Sequence, residues 1–502
     1  VHHAAPRGLA QSRGGAWGTR DVSQGPVGLL LATDEPAALR ETLGRILSAQ
    51  QDDGSWPQWF DYLPGHAAPG HREAHGDVVY WPLLALGEYL AATGDASILE
   101  DPFPFVGHEE ITAPEMAREH VTRALAHIRA HRTRDPRLPA YGNGDWNDSL
   151  QPARPELARE MCSTWTTELE IHALSALAAG LDAVGAPTDP GWAGLIEQAR
   201  SIAGAAEEGL RELLLVDGEL TGFAVLGQDQ ATYLVHPRDE TTGLRHGALQ
   251  MIHAITGELL TPEEAGHQHR IITQHLQGPA GVHLFDRPVI YHGGPMTVFQ
   301  RAEAATYWGR EIGLMYTHAH IRWVEALAAL GETEQMWEQL LAIIPIGLPG
   351  RVPGAALRQS NCYYSSSDAF VPDRYAASEN AEALRDPATR FEGGWRVYSS
   401  GPGLILRLLT ETVLGIRRRA DRLEIDPVLP AAFDGLEAEV PLAGGMVTVR
   451  YRRAGNGCGV REVRVDGQVV AGDALPRAYR EGGVAVDVAL VGAGAKIDVA
   501  VG

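Results

Sequence analysis

Apolar residues recur at three- and four-residue steps over most of the chain up to about residue 414, which is the spacing of one face of an α-helix. The pattern begins at Pro26 and continues through Leu43 and Ile46. Similar helical patterns follow at about 78–92, 114–132, 158–184, 190–214, 243–256, 262–276, 302–330, 334–344 and 403–414. This part of the chain is therefore predicted to be a helical domain.

Four long segments without helical periodicity interrupt these helices, and they are rich in Gly, Pro, His, Asp and aromatic residues. They lie at 51–75, 133–156, 277–300 and 346–401. Loops of this length are uncommon in compact domains unless they carry function. We therefore expect the functional side chains on these loops and their flanks. If the loops gather at one end, the helix pairs form a toroid with an active-site mouth.

The pattern changes after Gly415, where apolar and polar residues alternate with a period of two between Gly-rich turns. The alternation is clearest at 422–426, 446–451, 463–465 and 484–488. It predicts the strands of a small antiparallel β domain. A shorter run near 215–235 predicts a hairpin inside the helical domain. We place the boundary so that the helical domain covers 1–416 and the β domain covers 417–502.

Length and charge narrow the class of protein. The 502 residues suggest one large domain and a smaller one. No apolar run approaches the roughly 20 residues that a membrane span needs. The net charge of −22 argues against nucleic acids and anionic membranes as partners. An anionic substrate would need a local cluster of Arg, His and backbone N–H groups.

The cysteines and the first residues bear on the compartment and on processing. Cys162, Cys362 and Cys458 are spaced too widely for a disulfide framework or a zinc site. We therefore predict a reducing, cytoplasmic environment and no metal site. The chain begins with valine, which indicates a fragment or a processed chain.

The segment Tyr141–Ser149 concentrates the candidate chemistry. It places Asp145 and Asp148 on either side of Trp146, on a backbone loosened by Gly and Asn. An indole stacks on the apolar face of a pyranose, and a carboxylic acid can protonate a glycosidic oxygen. The segment therefore favours a sugar site. The alternative is an Asx-rich turn that caps the next helix.

Several charged residues outside this segment are further candidates, and each has a structural alternative. Arg20, at the end of a Gly-rich loop, can present a guanidinium to an anion or form an ordinary ion pair. Arg72 and Asp77 lie at a helix start, where they can bind sugar hydroxyls or act as caps. His318 and Arg322 are one helical turn apart and can form a cationic patch or a structural pair.

The segment Tyr398–Gly403 places hydroxyls and flexible backbone directly before a helix, as an anion-binding nest does. It lacks the Lys-Ser/Thr ending of a nucleotide phosphate loop. The sequence also contains no Gly-x-Ser-x-Gly elbow and no dinucleotide fingerprint after a strand. Nucleophilic serine or cysteine catalysis therefore has no support.

Taken together, these segments resemble the inverting β-glucoside phosphorylases of glycoside hydrolase family 94, which include cellobiose and chitobiose phosphorylases. The core Gly144–Asp148 resembles that family's general-acid loop, in which the last Asp, here Asp148, is the acid. The junction at 410–427 is similar to the family's passage from a barrel to a C-terminal sheet. Other stretches look closer to the branch that acts on 1,2-β-oligoglucans, at 15–21, 75–81, 299–303, 309–314 and 364–368.

The resemblance implies a mainly α fold, an (α/α)6 barrel followed by a small antiparallel β-sandwich domain. It also implies a phosphate site built by an Arg near the barrel start, a His on a late helix and a Thr-Gly loop near the barrel end. Those positions are here Arg20, His318, Ser399, Ser400 and Gly401, so serines replace the family's threonine. The family's N-terminal β-sandwich and linker have no counterpart. We therefore expect a partner, either an N-terminal β-sandwich half or a second copy in a homodimer.

The implied reaction is the inverting phosphorolysis of β-1,2-linked gluco-oligosaccharides, with inorganic phosphate as co-substrate, no cofactor, and α-glucose 1-phosphate as product. One acid suffices, because bound phosphate is itself a nucleophile, whereas an inverting hydrolase needs a second carboxylate to activate water. We expect Trp146 to stack on the sugar and Asp77 and Arg72 to bind its hydroxyls. Glu303 and Glu311 are the substrate-site residues that could serve as a hydrolytic base.

The residue pattern leaves two alternatives open. The first is an inverting β-glucan hydrolase or a glycosyltransferase on the same barrel. The second is a glucan-binding half that needs a partner chain for activity. Asp145 is assigned to loop geometry in each case, because adjacent carboxylates aimed at one bond repel each other.

Overall fold

The computed structural model describes the chain at 16–61, 73–107, 111–227, 230–279, 281–289, 293–304, 315–344, 347–354, 367–369, 374–388, 391–393, 400–442, 444–455 and 457–502. The longer helices are Gly25–Ala32, Pro36–Leu47, Tyr80–Thr93, Ala117–Ala130, Thr164–Ala183, Pro190–Gly209, Ala248–Thr256, Pro262–Ile271, Thr317–Leu330, Thr333–Ile343 and Ser400–Arg407. The shorter ones are Thr19–Val22, Leu157–Glu160, Gln300–Ala304, Leu348–Arg351 and Arg374–Glu379. The predicted helical domain is therefore confirmed as helical.

Local sequence signals explain where several helices begin. Pro36, Pro190 and Pro262 each occupy a first helical position, where a missing N–H breaks no hydrogen bond. Thr261 and Glu264 form a reciprocal capping box at the last of these. Pro36 also divides the helical pattern that begins at Pro26 into two helices, because proline ends the preceding helix before it.

Six of the described helices contact one another in a closed order, and the last contacts the first. In that order they are Gly25–Ala32, Tyr80–Thr93, Thr164–Ala183, Ala248–Thr256, Thr317–Leu330 and Ser400–Arg407. Glycines permit two of the contacts. A Cβ on Gly87 would lie 2.5 Å from the backbone of Ala176, and a Cβ on Gly403 would overlap the carbonyl of Gly25. The second contact joins the end of the helical part to its beginning.

Four further helices pack against these six. Pro36–Leu47, Pro190–Gly209, Pro262–Ile271 and Thr333–Ile343 each contact the helix that precedes them among the six. Apolar side chains of the six helices lie in the core, with Leu86, Leu174, Ile252, Trp323 and Leu327 fully buried. The described helical part thus contains a closed set of six helices with these four packed against it.

Short strands occur inside the helical part and in its loops. They are Ala16–Gly18, Trp59–Asp61, Pro102–Phe103, Glu115–Met116, Met161–Ser163, Leu215–Val216, Glu219–Leu220, Phe223–Leu226, Ala231–Leu234, Gln277–Gly278, Gly281–Val282, Ser367–Ala369 and Phe391–Gly393. Leu215–Val216 pairs with Glu219–Leu220, and Phe223–Leu226 pairs with Ala231–Leu234. The hairpin predicted near 215–235 is therefore confirmed, and it is followed by a second one.

Two sheets form the β domain. The first contains, in spatial order, Ile416–Arg418, Arg422–Ile425, Val484–Asp487 and Asp473–Ala474. The second contains Glu437–Leu442, Gly445–Arg453, Lys496–Val501, Val460–Val465 and Gln468–Val469. Alternate residues of both sheets, including Leu423, Val486, Val449 and Ile497, belong to one buried apolar cluster. This alternation is the period of two seen in the sequence.

The prediction of a purely antiparallel domain is wrong at one pair of strands. Gly445–Arg453 and Lys496–Val501 run parallel. Lys496–Val501 follows a strand of the other sheet, so it crosses into the centre of its own sheet and does not return through a hairpin. Side chains alternate identically in both orientations, so the sequence pattern could not distinguish them.

Polar contacts attach the β domain to the helical part. Asp426 accepts hydrogen bonds from Arg477 and Arg480, and Arg480 also donates to the carbonyl of Ala328 at 3.1 Å. Tyr479 donates to the carbonyl of Leu260 at 3.0 Å. No helix in the described part of the chain combines the length and apolarity of a membrane-spanning segment.

Candidate active site

Parts of three of the four long loops meet beside the N-terminus of the helix Tyr80–Thr93. The amide of Gly76 donates to the carbonyl of Gly144 at 2.8 Å, and the amide of His75 donates to the side chain of Gln58 at 3.0 Å. The amide of Ala153 donates to the carbonyl of Val298 at 2.7 Å. The loops 51–75, 133–156 and 277–300 are thereby joined through these described residues. Parts of the fourth loop, 346–401, lie outside the described residues, among them 355–366 and 394–399.

Arg20 lies at the centre of this region and bridges two carboxylates. Its Nη1 donates to both oxygens of Asp77 at 3.2 Å, and its Nη2 donates to Oδ1 of Asp148 at 3.0 Å. The short helix Thr19–Val22 presents it after the strand Ala16–Gly18, which pairs with Trp59–Asp61. Burial alone would lower the pKa of this guanidinium, but the carboxylates raise it, so Arg20 is a permanent cation.

Asp77 holds Arg20 from the interior. Its side chain is fully buried, and Oδ2 also accepts a hydrogen bond from Nε1 of Trp81 at 2.9 Å. Both oxygens therefore already have donors. The assignment of Asp77 to sugar hydroxyls stays a prediction, and the role visible in the structure is to anchor Arg20.

The two carboxylates of the segment Tyr141–Ser149 lie in different environments. Asp145 is buried, and it accepts hydrogen bonds from the hydroxyl of Ser163 at 2.7 Å and from the amide of Asn147 at 2.9 Å. Burial raises its pKa to about 7. Asp148 begins the single turn Asp148–Leu150, and its side chain is 36% exposed. Asp145 therefore holds the loop in shape, and Asp148 faces accessible space.

Trp146 of this loop lies next to the N-terminus of the late helix Thr317–Leu330. Its ring lies edge-on to Tyr316 at 5.0 Å and to His318 at 5.4 Å, measured between ring centroids. The residue is 9% exposed. The structure thus brings together Trp146 and His318, which are far apart in sequence.

His318 is held in the neutral form near Arg20. Its Nε2 is 2.9 Å from Oε1 of Gln24, and the side-chain Nε2 of Gln24 donates to the carbonyl of Arg20 at 3.2 Å. Burial, with Arg322 and Arg20 as further causes, lowers the pKa of His318 well below its ordinary value. Gln24 therefore links two residues assigned to phosphate, and nothing in the sequence pattern indicates it beyond its position four residues after Arg20.

The third part of the predicted phosphate site is described only in part. Ser400 begins the helix Ser400–Arg407, and a Cβ on Gly401 would lie 3.9 Å from Thr317, the residue before His318. The N-termini of two helices therefore lie side by side, and backbone N–H groups at such ends favour anions. Ser399 lies outside the described residues.

His75 is a candidate that the sequence argument missed. Its Nδ1 lies 2.8 Å from the carbonyl oxygen of Asp145 and 3.5 Å from Oδ1 of Asp148. Its Nε2 lies 3.2 Å from the side-chain nitrogen Nε2 of Gln151. Burial lowers its pKa, and Arg20 contributes to the same direction. The neutral ring therefore donates from Nδ1 and accepts at Nε2, and only its proximity to Asp148 in space reveals it.

Three predicted substrate residues have different outcomes. Glu303 is buried, and its carboxylate accepts from the amides of Thr297, Val298 and Phe299, each at 2.7 Å. It therefore shapes the loop before its own helix, and a role as a base stays a prediction. Arg72 and Glu311 lie outside the described residues.

Comparison with known proteins agrees with these features. Residues 415–498 match the family described as glycoside phosphorylase C-terminal domain. The chain is 41% identical over 463 residues to a 1,2-β-oligoglucan phosphorylase of Listeria innocua, covering 91% of this chain and 41% of that protein.

Two more distant relatives cover a similar part of the chain. It is 28% identical to the cyclic β-(1,2)-glucan synthase NdvB of Rhizobium meliloti, over 86% of this chain and 14% of that protein. It is 24% identical to a 3-O-β-D-glucopyranosyl-β-D-glucuronide phosphorylase of Paenibacillus borealis, over 88% of this chain and 53% of that protein. The chain thus spans about half the length of these relatives or less. The predicted resemblance to glycoside phosphorylases is confirmed.

Proposed function

The chain is a relative of the glycoside phosphorylases over 91% of its length, and we propose that it catalyses the inverting phosphorolysis of β-1,2-linked gluco-oligosaccharides. The products are α-glucose 1-phosphate and an oligosaccharide one residue shorter, and the reaction is reversible. Inorganic phosphate is the co-substrate, and no resident cofactor is needed. The linkage is taken from two of the relatives, whose names contain 1,2-β-oligoglucan and β-(1,2)-glucan.

One observation carries the proposal. The partly exposed carboxyl group of Asp148 lies 3.0 Å from a buried guanidinium, that of Arg20. An acid for the leaving oxygen and a cation for an incoming anion thus lie in one site, and phosphorolysis needs both.

In the proposed mechanism, Asp148 in its acid form gives its proton to the glycosidic oxygen. The bond between that oxygen and the anomeric carbon breaks, and an oxygen of phosphate bonds to the anomeric carbon from the opposite face. Arg20, His318 and the N-terminus of the helix Ser400–Arg407 hold the phosphate, with Ser399 or Ser400 as a hydroxyl donor. Trp146 stacks on the sugar ring, and Asp148 ends as a carboxylate.

The state of the neighbouring carboxylates favours phosphorolysis over hydrolysis. Asp77 is paired with Arg20, Asp145 accepts from Ser163, and Glu303 accepts from three backbone amides. A carboxylate that already holds these donors is a poor base for water. Phosphate needs no such base, because it is a nucleophile when it is held in line with the bond.

The fold supports the same proposal. We infer that the closed order of six helices, with the other helices outside them, is an (α/α)6 barrel, and that the β domain is a sandwich packed against its end. An N-terminal β-sandwich half or a second copy remains the proposed partner.

The test is incubation of the full chain with a β-1,2-linked glucan oligomer, with and without phosphate, followed by measurement of α-glucose 1-phosphate and free glucose. Formation of the sugar phosphate only when phosphate is present supports the proposal. Release of glucose at the same rate without phosphate would establish the hydrolase alternative.

Two controls define specificity and completeness. The β-1,3- and β-1,4-linked glucose disaccharides test the linkage. Glucan binding without turnover, and recovery of turnover when an N-terminal half is added, would identify the chain as a part that needs its partner.

A further inference from the structure

The two terminal nitrogens of the Arg20 guanidinium, Nη1 and Nη2, are held unequally. Nη1 donates to both oxygens of Asp77, whose side chain is fully buried and also fixed by Trp81. Nη2 donates to one oxygen of Asp148, whose side chain is 36% exposed. The first contact is enclosed and the second lies at the border of accessible space. An anion that enters the site can therefore replace Asp148 at Nη2 while Asp77 keeps Arg20 in position.

The charges around Asp148 favour this replacement only if a proton enters as well. Within the described residues, the charged and titratable groups around it are Arg20, Asp21, His75, Tyr141 and Arg301, with Asp77 and Asp145 next to these. Arg20 is the cation closest to its carboxylate, since Arg301 reaches the backbone carbonyl of Asp148 at 3.3 Å. His75 is neutral, because burial and Arg20 lower its pKa.

A carboxylate that loses its guanidinium and gains a neighbouring anion is driven towards its neutral form, because both changes disfavour the negative charge. The same proton makes Asp148 able to act as an acid. Without the anion, Asp148 keeps its ion pair with the guanidinium.

We propose that phosphate binding switches Asp148 on: the anion takes Nη2 of Arg20, and the released Asp148 carboxylate takes up one proton from solvent. This inference rests on the proposed function, and it makes Arg20 the link between the nucleophile and the acid. The proton is later given to the glycosidic oxygen. The coupling prevents protonation of a glycoside while the phosphate site is empty, so it also suppresses hydrolysis.

The test uses sulfate as the probe, because sulfate has the shape of phosphate and does not itself exchange protons near neutral pH. Calorimetric titration of the full chain in two buffers with different ionisation enthalpies gives the number of protons taken up. We expect about one proton per bound sulfate between pH 6 and 7, and affinity that weakens by about tenfold per pH unit over that same range.

Two variants identify the group that takes the proton. Asp148→Asn should bind sulfate with almost no proton uptake and little dependence on pH, and it should bind more tightly at pH 8 because Arg20 has lost a competitor. Asp21→Asn is the matched control. Burial raises the pKa of Asp21 to about 6 and that of Asp145 to about 7, so Asp21 is one of two nearby carboxyl groups, besides Asp148, able to take a proton. Uptake should persist in that variant.

The possible results separate the coupling from the function beneath it. Sulfate binding by the wild-type chain without proton uptake would overturn the coupling and leave the phosphate site standing. Uptake that is lost in Asp21→Asn and kept in Asp148→Asn would also overturn it. Failure of the wild-type chain to bind either sulfate or phosphate would overturn the phosphate site itself, and with it the proposed function.

Discussion

Two arginines of the helical part each hold two carboxylates, and they do different things. Arg407 donates through Nη1 and Nη2 to the two oxygens of Glu88, at 2.9 and 2.7 Å, and through Nε to Glu411 at 3.0 Å. Arg20 donates through Nη1 to Asp77 and through Nη2 to a single oxygen of Asp148. The residue types are alike, and the geometry differs.

The difference lies in how completely each set is enclosed. The side chains of Glu88 and Glu411 are 18% and 8% exposed, and Arg407 joins the last of the six helices to the second. That set is a structural clamp. Of the two partners of Arg20, Asp77 is enclosed and Asp148 is partly exposed, so the ion pair between Arg20 and Asp148 can exchange. An ion pair that is partly exposed at a site can exchange its partner, whereas breaking an enclosed ion pair leaves an unpaired buried charge and lowers stability.

Asp148→Asn should have the largest effect, and that effect should be on activity. Loss of the proposed general acid should lower the rate of phosphorolysis by roughly 10³- to 10⁴-fold, with an unchanged melting temperature, because the side chain is partly exposed. Steady-state release of α-glucose 1-phosphate and thermal unfolding are the measurements. Activity similar to that of the wild-type chain would refute the assignment.

Glu88→Gln should have the next largest effect, and that effect should be on stability. It leaves Arg407 without its bidentate partner, and we expect the free energy of unfolding at pH 7 to fall by about 3 kcal/mol. Although burial alone would raise the pKa of Glu88, Arg407 lowers it to about 2. The stabilisation is therefore present above the ordinary pKa of Glu and is lost as the pH falls towards 2.

Denaturant unfolding at pH 7 and pH 3 measures this effect, and the difference between Glu88→Gln and the wild type should shrink at the lower pH. Glu41→Gln is the matched control, because Glu41 pairs with Arg45 on the surface and its side chain is 60% exposed. That change should be nearly neutral. An equal loss of stability in both variants would show that the clamp is no stronger than a surface pair.

Arg20→Lys should separate the role of Arg20 from that of Arg407. Lysine keeps the charge but lacks the planar fork, so it cannot hold Asp77 and an anion together, and the KM for phosphate should rise by about 10- to 100-fold. Arg407→Lys is the control, and it should lower the melting temperature with little effect on that KM. A rise in KM in the second variant alone would reverse the two assignments.

Asp145→Asn should have the smallest effect, on the pH dependence of stability. Burial raises the pKa of Asp145 to about 7 in the folded chain, above the ordinary value of 3.8. The folded state therefore holds more protons than the unfolded state between these values, and its stability falls as the pH rises through them. The variant should show a smaller fall in urea midpoint between pH 4 and pH 8. An unchanged profile would mean that Asp145 is not protonated in the folded chain.

The secondary structure was largely predictable, because the signals are local. The helical periodicity predicts the helices that begin at Tyr80, Thr164 and Thr317, and the period of two predicts the β domain. The places where prediction failed have physical causes. Pro36 divided one pattern into two helices, and strand direction leaves no trace in the alternation of side chains.

The candidate site was predictable only in part. Asp148, Trp146, Arg20 and His318 were identified through a motif resemblance, and the structure brings them into one region. His75 was missed, because its distance from Asp148 depends on how two loops meet. Ser399, Arg72 and Glu311 lie outside the described residues, so their assignments stay predictions.

The sequence by itself determined the local elements, the acidic loop with its indole and the relation to glycoside phosphorylases, since each depends on residues that are near in the chain or aligned along it. Only the tertiary structure decided which of two similar carboxylates is enclosed. Asp145 and Asp148 are three residues apart and have the same side chain. Asp145 is buried and accepts a hydrogen bond from Ser163, whereas Asp148 is partly exposed and pairs with Arg20. Burial and charge depend on distant segments, and folding alone brings those segments together.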